Sequence, residues 1–165
     1  MTALFPGSFD PVTLGHLDII KRGEQMFDQI VVAVLNNPAK SPLFTVQERI
    51  GLLQEAVLGI SDVRVEAYSG LLAEFAKKCG AQYILRGLRT EADGVYEISM
   101  AQANRRLMDG LETVLLVSDP AYAYMSASLI REIAAAGYAD SGFDDRVLDQ
   151  WVIPAVKNML KRKYL

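Results

Sequence analysis

The chain has 165 residues, a hydrophobic fraction of 51% and a net charge of −3 at neutral pH. That length predicts one domain with room for a real core, and the charge leaves no basic footprint for nucleic acid. A single cysteine, Cys79, excludes an intrachain disulfide. The apolar share and a mean hydropathy of +0.16 are high for a monomer of this size and predict surface covered by further copies of the chain. No apolar run approaches membrane-span length, and the N-terminal stretch is cut short by Pro6-Gly7, unlike a signal peptide. A cytoplasmic protein is expected, with no membrane and no nucleic-acid partner.

Strand-like runs fall at 2–5, 29–35, 63–67, 82–86 and 113–117. They are rich in Val, Ile and Leu and read as strands buried on both faces. Helical patterns lie between them. The first, 15–26, follows a glycine-proline loop. The second, 46–58, opens on a capping box, Thr45 with Glu48. The third, 71–79, is closed by Gly80, and the fourth is 91–108. A fifth, 128–136, has Gly137 just beyond it, and two closing helices, 144–152 and 154–163, meet at Pro154. This alternation predicts an α/β protein: a doubly wound, Rossmann-like, five-stranded parallel sheet in one domain, 1–165, with C-terminal helices.

In such sheets ligands bind beyond the carboxyl ends of the strands, where strand order reverses. The unusual polar loops all fall on that rim. Strand one leads into Ser8 and the segment Thr13-Leu14-Gly15-His16, strand two into Asn37-Pro38-Ala39-Lys40, and strand three into Ser69-Gly70-Leu71-Leu72. Strand four leads into Arg86-Gly87-Leu88-Arg89, and strand five into Tyr122-Ala123-Tyr124-Met125-Ser126-Ala127-Ser128. The opposite rim carries little chemistry, which points to a phosphate-rich ligand.

His16, the single histidine, stands at a helix N-terminus, where backbone N–H groups and the helix dipole favour an anion. The dipole disfavours imidazolium and a phosphate favours it. A neutral His16 is therefore expected in the free protein and a charged one beside bound nucleotide. Lys40 is restrained between Pro38 and Pro42; a solvated loop lysine is the plain alternative. Arg86 and Arg89 flank a glycine, and two guanidinium forks there can grip phosphate oxygens rather than stand as surface arginines. Ser126 caps a helix, and the Ser126–Ser128 hydroxyls and amides are read as also facing a phosphate. Tyr122, Tyr124, Asp93 and Glu97 stay undecided between packing, solvation and ligand contact. The chain has no Walker-type phosphate loop, no dinucleotide fingerprint after strand one, no cysteine–histidine zinc cluster and no nucleophile elbow.

Taken together, these segments resemble the nucleotidyltransferase superfamily, marked by [TH]-x-G-H after the first strand. Within it they are similar to the bacterial phosphopantetheine adenylyltransferases over nearly the whole chain. The resemblance rests on Pro6-Gly7-Ser8-Phe9-Asp10-Pro11 with Thr13-Leu14-Gly15-His16, Asn37-Pro38-Ala39-Lys40, Arg86-Gly87-Leu88-Arg89, Tyr96-Glu97 and Met125-Ser126-Ala127-Ser128. It implies transfer of AMP from ATP, with Mg2+, to 4′-phosphopantetheine, giving dephospho-coenzyme A and pyrophosphate. It also implies a homohexamer, and direct attack of the acceptor phosphate on the α-phosphorus without a covalent intermediate.

Position by position, the resemblance implies His16, Lys40 and Arg89 as catalytic groups, with His16 stabilising the transition state. It implies Ser8, Lys40, Leu72 and Arg86 for the phosphopantetheine substrate. For ATP it implies Ser8, Phe9, His16, Gly87, Leu88, Arg89, Glu97 and the run Tyr122, Ala123, Tyr124, Met125, Ser126, Ala127 and Ser128, with no metal ligand assigned. Three positions depart from the family: Ser8 where threonine is frequent, Ala127 within a usual serine triplet, and Asp93-Gly94-Val95 where an aromatic and a glutamate are usual. Two rivals remain open: a nucleotidyltransferase using nicotinamide mononucleotide or glycerol 3-phosphate, and a nucleotide-binding regulator without turnover.

Overall fold

A computed structural model of the chain describes residues 1–36 and 41–165. Five parallel strands form one sheet in the order β3-β2-β1-β4-β5: β1 (Thr2–Gly7), β2 (Gln29–Leu35), β3 (Val63–Tyr68), β4 (Tyr83–Leu88) and β5 (Glu112–Val117). The chain winds outward from β1 to β3, returns to the other side of β1, and winds outward again, so strand order reverses between β1 and β4. The doubly wound α/β class expected from the alternation is what forms.

Strand pleating sends alternate residues to opposite faces. Ala3, Phe5, Ile30, Val32 and Leu85 pack on one face with α1 (Leu14–Glu24), α2 (Val46–Ala56), α5 (Ala127–Tyr138) and α6 (Pro154–Tyr164). Leu4, Val31, Ala33 and Ile84 pack on the other, against α3 (Leu72–Cys79) and the residues flanking it. The helix α4 (Glu91–Leu107) shares that second side, in contact with α3. β1 and β2 are buried along most of their length, as their unbroken apolar sequence requires. β3 is an edge strand and only partly covered: exposed Arg64 pairs with half-buried Glu66 on the same face at 3.1 Å.

Three elements differ from the sequence reading in ways that matter. β4 runs on through Arg86 and Gly87 to Leu88, so these residues lie in a strand paired with β5 rather than in a loop. The segment expected as a helix over 144–152 is a 3₁₀ turn, Asp145–Gln150. It closes with i→i+3 bonds, and Asp144 caps its start. Gly137 lies inside α5 rather than beyond it. Among the described residues no helix is long and apolar enough to cross a membrane.

The helix that carries His16 lies close to the sheet because Gly23, in its last turn, has no side chain. A Cβ there would stand 2.5 Å from Leu85 Cδ2 and 3.0 Å from Ile30 Cδ1. Gly23→Val is expected to lower stability by about 1–3 kcal/mol through overpacking, read as a fall in the denaturant midpoint at unchanged slope.

Candidate active site

The spacing of Thr13-x-x-His16 is that of a capping box, with an imidazole where glutamate usually stands. The Thr13 hydroxyl accepts from His16 N at 3.3 Å, and Thr13 N–H donates to His16 Nδ1 at 3.0 Å. One exchange therefore caps α1 and orients the ring. Because Nδ1 accepts a backbone proton, the neutral ring carries its own proton on Nε2. Gly15 completes the motif by proximity: a Cβ on it would meet Tyr122 Cβ at 3.1 Å, so the loop after β5 closes directly onto the first turn of α1.

Phe9 and Phe5 flank the imidazole edge-to-face, with centroids 5.0 and 6.3 Å away. This burial, then the positive charges of Arg89 and Arg86, push the His16 pKa down from 6.5 to about 4. The ring is therefore neutral at pH 7 in the free protein.

Arg86 lies in β4 and Arg89 directly follows it, and both are held by carboxylates of α4. Arg86 Nε donates to Glu97 Oε2 at 2.8 Å, Nη2 donates to Oε1, and Nη1 reaches back to the Pro6 carbonyl at 2.6 Å. Arg89 donates from Nε and Nη2 to Asp93 at 3.1 and 3.4 Å, and from Nη1 to the Met125 carbonyl at 3.4 Å. Asp93 and Glu97 stand one helical turn apart on α4, so a single helix face holds both guanidinium groups.

β1 and β4 pair at Ala3↔Tyr83 and Leu4↔Ile84 and then part. Two clefts open on either side of this gap. One, on the α1 and α5 side, has a volume of about 290 Å³ and is lined by Ser8, Phe9, His16, Gly87, Arg89, Glu97, Tyr122, Met125, Ser126, Ala127 and Ser128. The other, on the α3 and α4 side, is about 1080 Å³, largely apolar, and lined by Leu72, Tyr68, Tyr96, Met100 and Leu107 among others. Pro6, Gly7, Ser8, Arg86 and Glu97 line both. The smaller cleft ends on α5, where the Ser126 hydroxyl caps Leu129 N–H at 3.1 Å and first-turn N–H groups suit an anion.

Most of the residues singled out in the sequence therefore meet in one place, but not all. Asn37, Pro38, Ala39 and Lys40 lie outside the described residues. The Phe9 side chain is 2% exposed and packs under His16, leaving its backbone as the part within reach of a ligand. Leu88, Ala123 and Tyr124 do not line the smaller cleft. Tyr124 is exposed, and its hydroxyl accepts from Trp151 Nε1 at 3.3 Å. Trp151 also caps the first turn of α1, its carbonyl accepting from Leu14 N at 2.7 Å.

Sequence reasoning missed Asp10, Arg49, Arg131 and Trp151. Arg49 had a signal: Val46, Arg49 and Leu53 fall on one stripe of α2, so a cation sits on its apolar face. It is 3% exposed.

The lowered pKa of His16 makes stability depend on pH. The unfolded chain takes up a proton near 6.5 and the folded chain near 4, so stability falls as pH drops through that window. The contribution is on the order of 3 kcal/mol. Urea midpoints of His16→Gln are expected to show a flatter slope than the parent between pH 6.5 and 4.

Residues 4–133 match the family model described as cytidylyltransferase-like. A phosphopantetheine adenylyltransferase of Caldanaerobacter subterraneus subsp. tengcongensis is 52% identical over 141 residues, covering 86% of this chain and 88% of that one. Another, of Gloeobacter violaceus, is 51% identical over 137 residues, covering 83% and 85%. Among solved structures, a Plasmodium falciparum nicotinic acid mononucleotide adenylyltransferase superposes with a TM-score of 0.68 at 13% identity, covering 99% of this chain and 95% of that one. A lipopolysaccharide core biosynthesis protein of Thermoplasma volcanium gives 0.51 at 20% identity, over 72% and 96%. These two share the fold alone. On the family match and the identity to its curated relatives, the chain belongs to the cytidylyltransferase-like family and, within it, to that of the phosphopantetheine adenylyltransferases.

Proposed function

We propose that the chain transfers the adenylyl group of ATP to 4′-phosphopantetheine, giving dephospho-coenzyme A and pyrophosphate, a step of coenzyme A synthesis. The observation that carries this reading is identity of 48–52% to relatives named for the activity. The pair of clefts fits it. The smaller, polar cleft suits a nucleotide with its phosphates toward His16 and α5. The larger, apolar one suits a long flexible acceptor whose phosphate reaches the shared wall at Ser8 and Arg86.

In this reading an oxygen of the acceptor phosphate forms a bond to the α-phosphorus. The bond from that phosphorus to the bridging oxygen breaks, and its electron pair leaves with pyrophosphate. No protein nucleophile takes part. The protein positions the reactants and stabilises charge. His16 donates from Nε2 to a non-bridging oxygen of the α-phosphate. That charge raises the pKa of the ring, and a further proton, drawn from solvent, sits on Nδ1, which then exchanges Thr13 N–H for the Thr13 hydroxyl at 3.0 Å as acceptor.

Arg89 turns from Asp93 toward the nucleotide phosphates, and Arg86 holds the acceptor phosphate while Glu97 fixes its guanidinium. Lys40 is assigned to the same phosphate on the resemblance alone. Mg2+ enters as part of the ATP substrate, coordinated by phosphate oxygens and water. The donor set agrees: among the described residues no three His, Cys, Asp or Glu side chains gather to hold a metal ion, and Glu97 stays engaged by Arg86.

A homo-oligomer, hexameric on the resemblance, and a cytoplasmic location belong to the same reading. Val95 and Ile98 expose apolar side chains on one stripe of α4, away from the larger cleft, which supports a face covered by another copy. Sedimentation as a strict monomer at micromolar concentration would refute that part.

The test is pyrophosphate release from MgATP with 4′-phosphopantetheine, nicotinamide mononucleotide or glycerol 3-phosphate offered in turn. Release is expected with the first alone, and release with another acceptor would overturn the substrate assignment. His16→Ala is expected to keep much of the ATP affinity and lose turnover by roughly 10²-fold or more. An unchanged rate would remove His16 from the mechanism.

A further inference from the structure

Two buried or half-buried cations outside this mechanism, Arg49 and Arg131, both converge on the loop after β1. At its centre Phe9 has φ 46°, a left-handed conformation that a bulky non-glycine residue adopts only when its surroundings impose it. The carbonyls on either side of it are both gripped. Arg49 Nη1 donates to the Ser8 carbonyl at 2.8 Å, and its remaining bonds run to the carbonyls of Leu35 and Phe44 at 3.0 and 3.1 Å. Arg131 Nη1 donates to the Asp10 carbonyl and pairs with the Asp10 carboxylate at 3.2 Å. That carboxylate also accepts from Leu43 N and Phe44 N, both at 2.9 Å. The loop is thus anchored from α2 on one side and from α5 on the other.

The conformation so imposed turns the Phe9 ring inward. The ring packs edge-to-face on the His16 imidazole, centroids 5.0 Å apart at 69°, and on Phe5 at 5.5 Å. It occupies space that a side chain at Gly7 would fill, since a Cβ there would lie 2.9 Å from the ring. Thr13 fixes Nδ1 of His16, but a single hydrogen-bonded edge leaves the ring free to tilt. The Phe9 ring removes that freedom.

We propose that Arg49 and Arg131 are positioning residues for the transfer reaction, acting at one remove: they hold the backbone on both sides of Phe9, Phe9 holds the imidazole, and the imidazole meets the phosphate. The last link rests on the reading of His16 given above.

His16 is the chain's single histidine, so its ring nitrogens report this arrangement by NMR without any substrate. In Arg131→Gln, kcat is expected to fall by about 10–100-fold, the cost of a misplaced group, with KM for ATP changed by less than about threefold on the same principle. The ligand-free ring signals should shift as the Phe9 ring current leaves the imidazole, with the Nε2–H tautomer still held by Thr13. Arg131→Lys, which keeps a donor for the Asp10 carbonyl, should recover most of both. Arg49→Lys should show the same signature where it folds.

A folded Arg131→Gln with wild-type kcat overturns the proposal. So does a fall in kcat with unchanged ring signals, which would mean that Arg131 acts on the substrate itself. Wild-type turnover in His16→Ala would instead sink the catalytic reading, while the ligand-free ring signals would still judge the clamp.

Discussion

At the centre of the sheet two parallel strands begin as neighbours and then separate. β1 and β4 share two residue pairs, whereas β1 with β2 and β4 with β5 each share six. Every later feature of the site depends on that separation. Past Leu4 the backbone groups of β1 that would face β4 have no ladder to join. Proline at position 6 is tolerated there, in a strand that is otherwise central, because its missing N–H falls on the side where no strand accepts it. Its carbonyl is taken by Arg86 instead. The gap also joins the two faces of the sheet, so a ligand on the α1 side and one on the α3–α4 side can touch through it.

Filling this gap with a guanidinium rather than an apolar side chain has an electrostatic cost that shapes the rest of the site. A cation leaving water needs a partner, and Glu97 provides it from α4 with two bonds. Such a pair contributes little to net stability; what it secures is direction. Arg89, more exposed, is held by Asp93 one turn earlier. The imidazole of His16 sits between these cations and two aromatic walls, and stays uncharged. The free site is therefore a cationic rim around a neutral donor. In the reaction proposed above, an incoming phosphate would displace carboxylate from one arginine, leave the other in place, and raise the proton affinity of the ring it meets.

The sequence shows the architecture more clearly than it shows the internal partnerships. Apolar runs and helix caps are local signals, and the five strands and their alternation with helices follow from them. The rim is legible for the same reason, since each polar loop follows its own strand. The partnerships are not local. Arg86 and Glu97 lie 11 residues apart across a turn, and Arg131 meets Asp10 from 121 residues away. Phe9 reads as a loop residue, but the clamps at its two neighbours bury it. Tyr124 is left undecided by the sequence between packing and ligand contact, and its hydroxyl is met by the indole of Trp151, just past the 3₁₀ turn. In each case the packing of a distant element decides between solvent, ligand and core.

The first turn of α1 is closed by the carbonyl of Trp151. The start of α2 is tied to the last helix, with Lys163 against Glu48 at 2.9 Å and over the Phe44 ring. Early parts of the site are thus finished by late parts of the chain. A polypeptide leaving the ribosome exposes all five strands before it can make either contact. The nascent sheet can assemble with the first turn of the histidine helix still frayed, and the geometry around the imidazole is complete only once the C-terminal segment has docked.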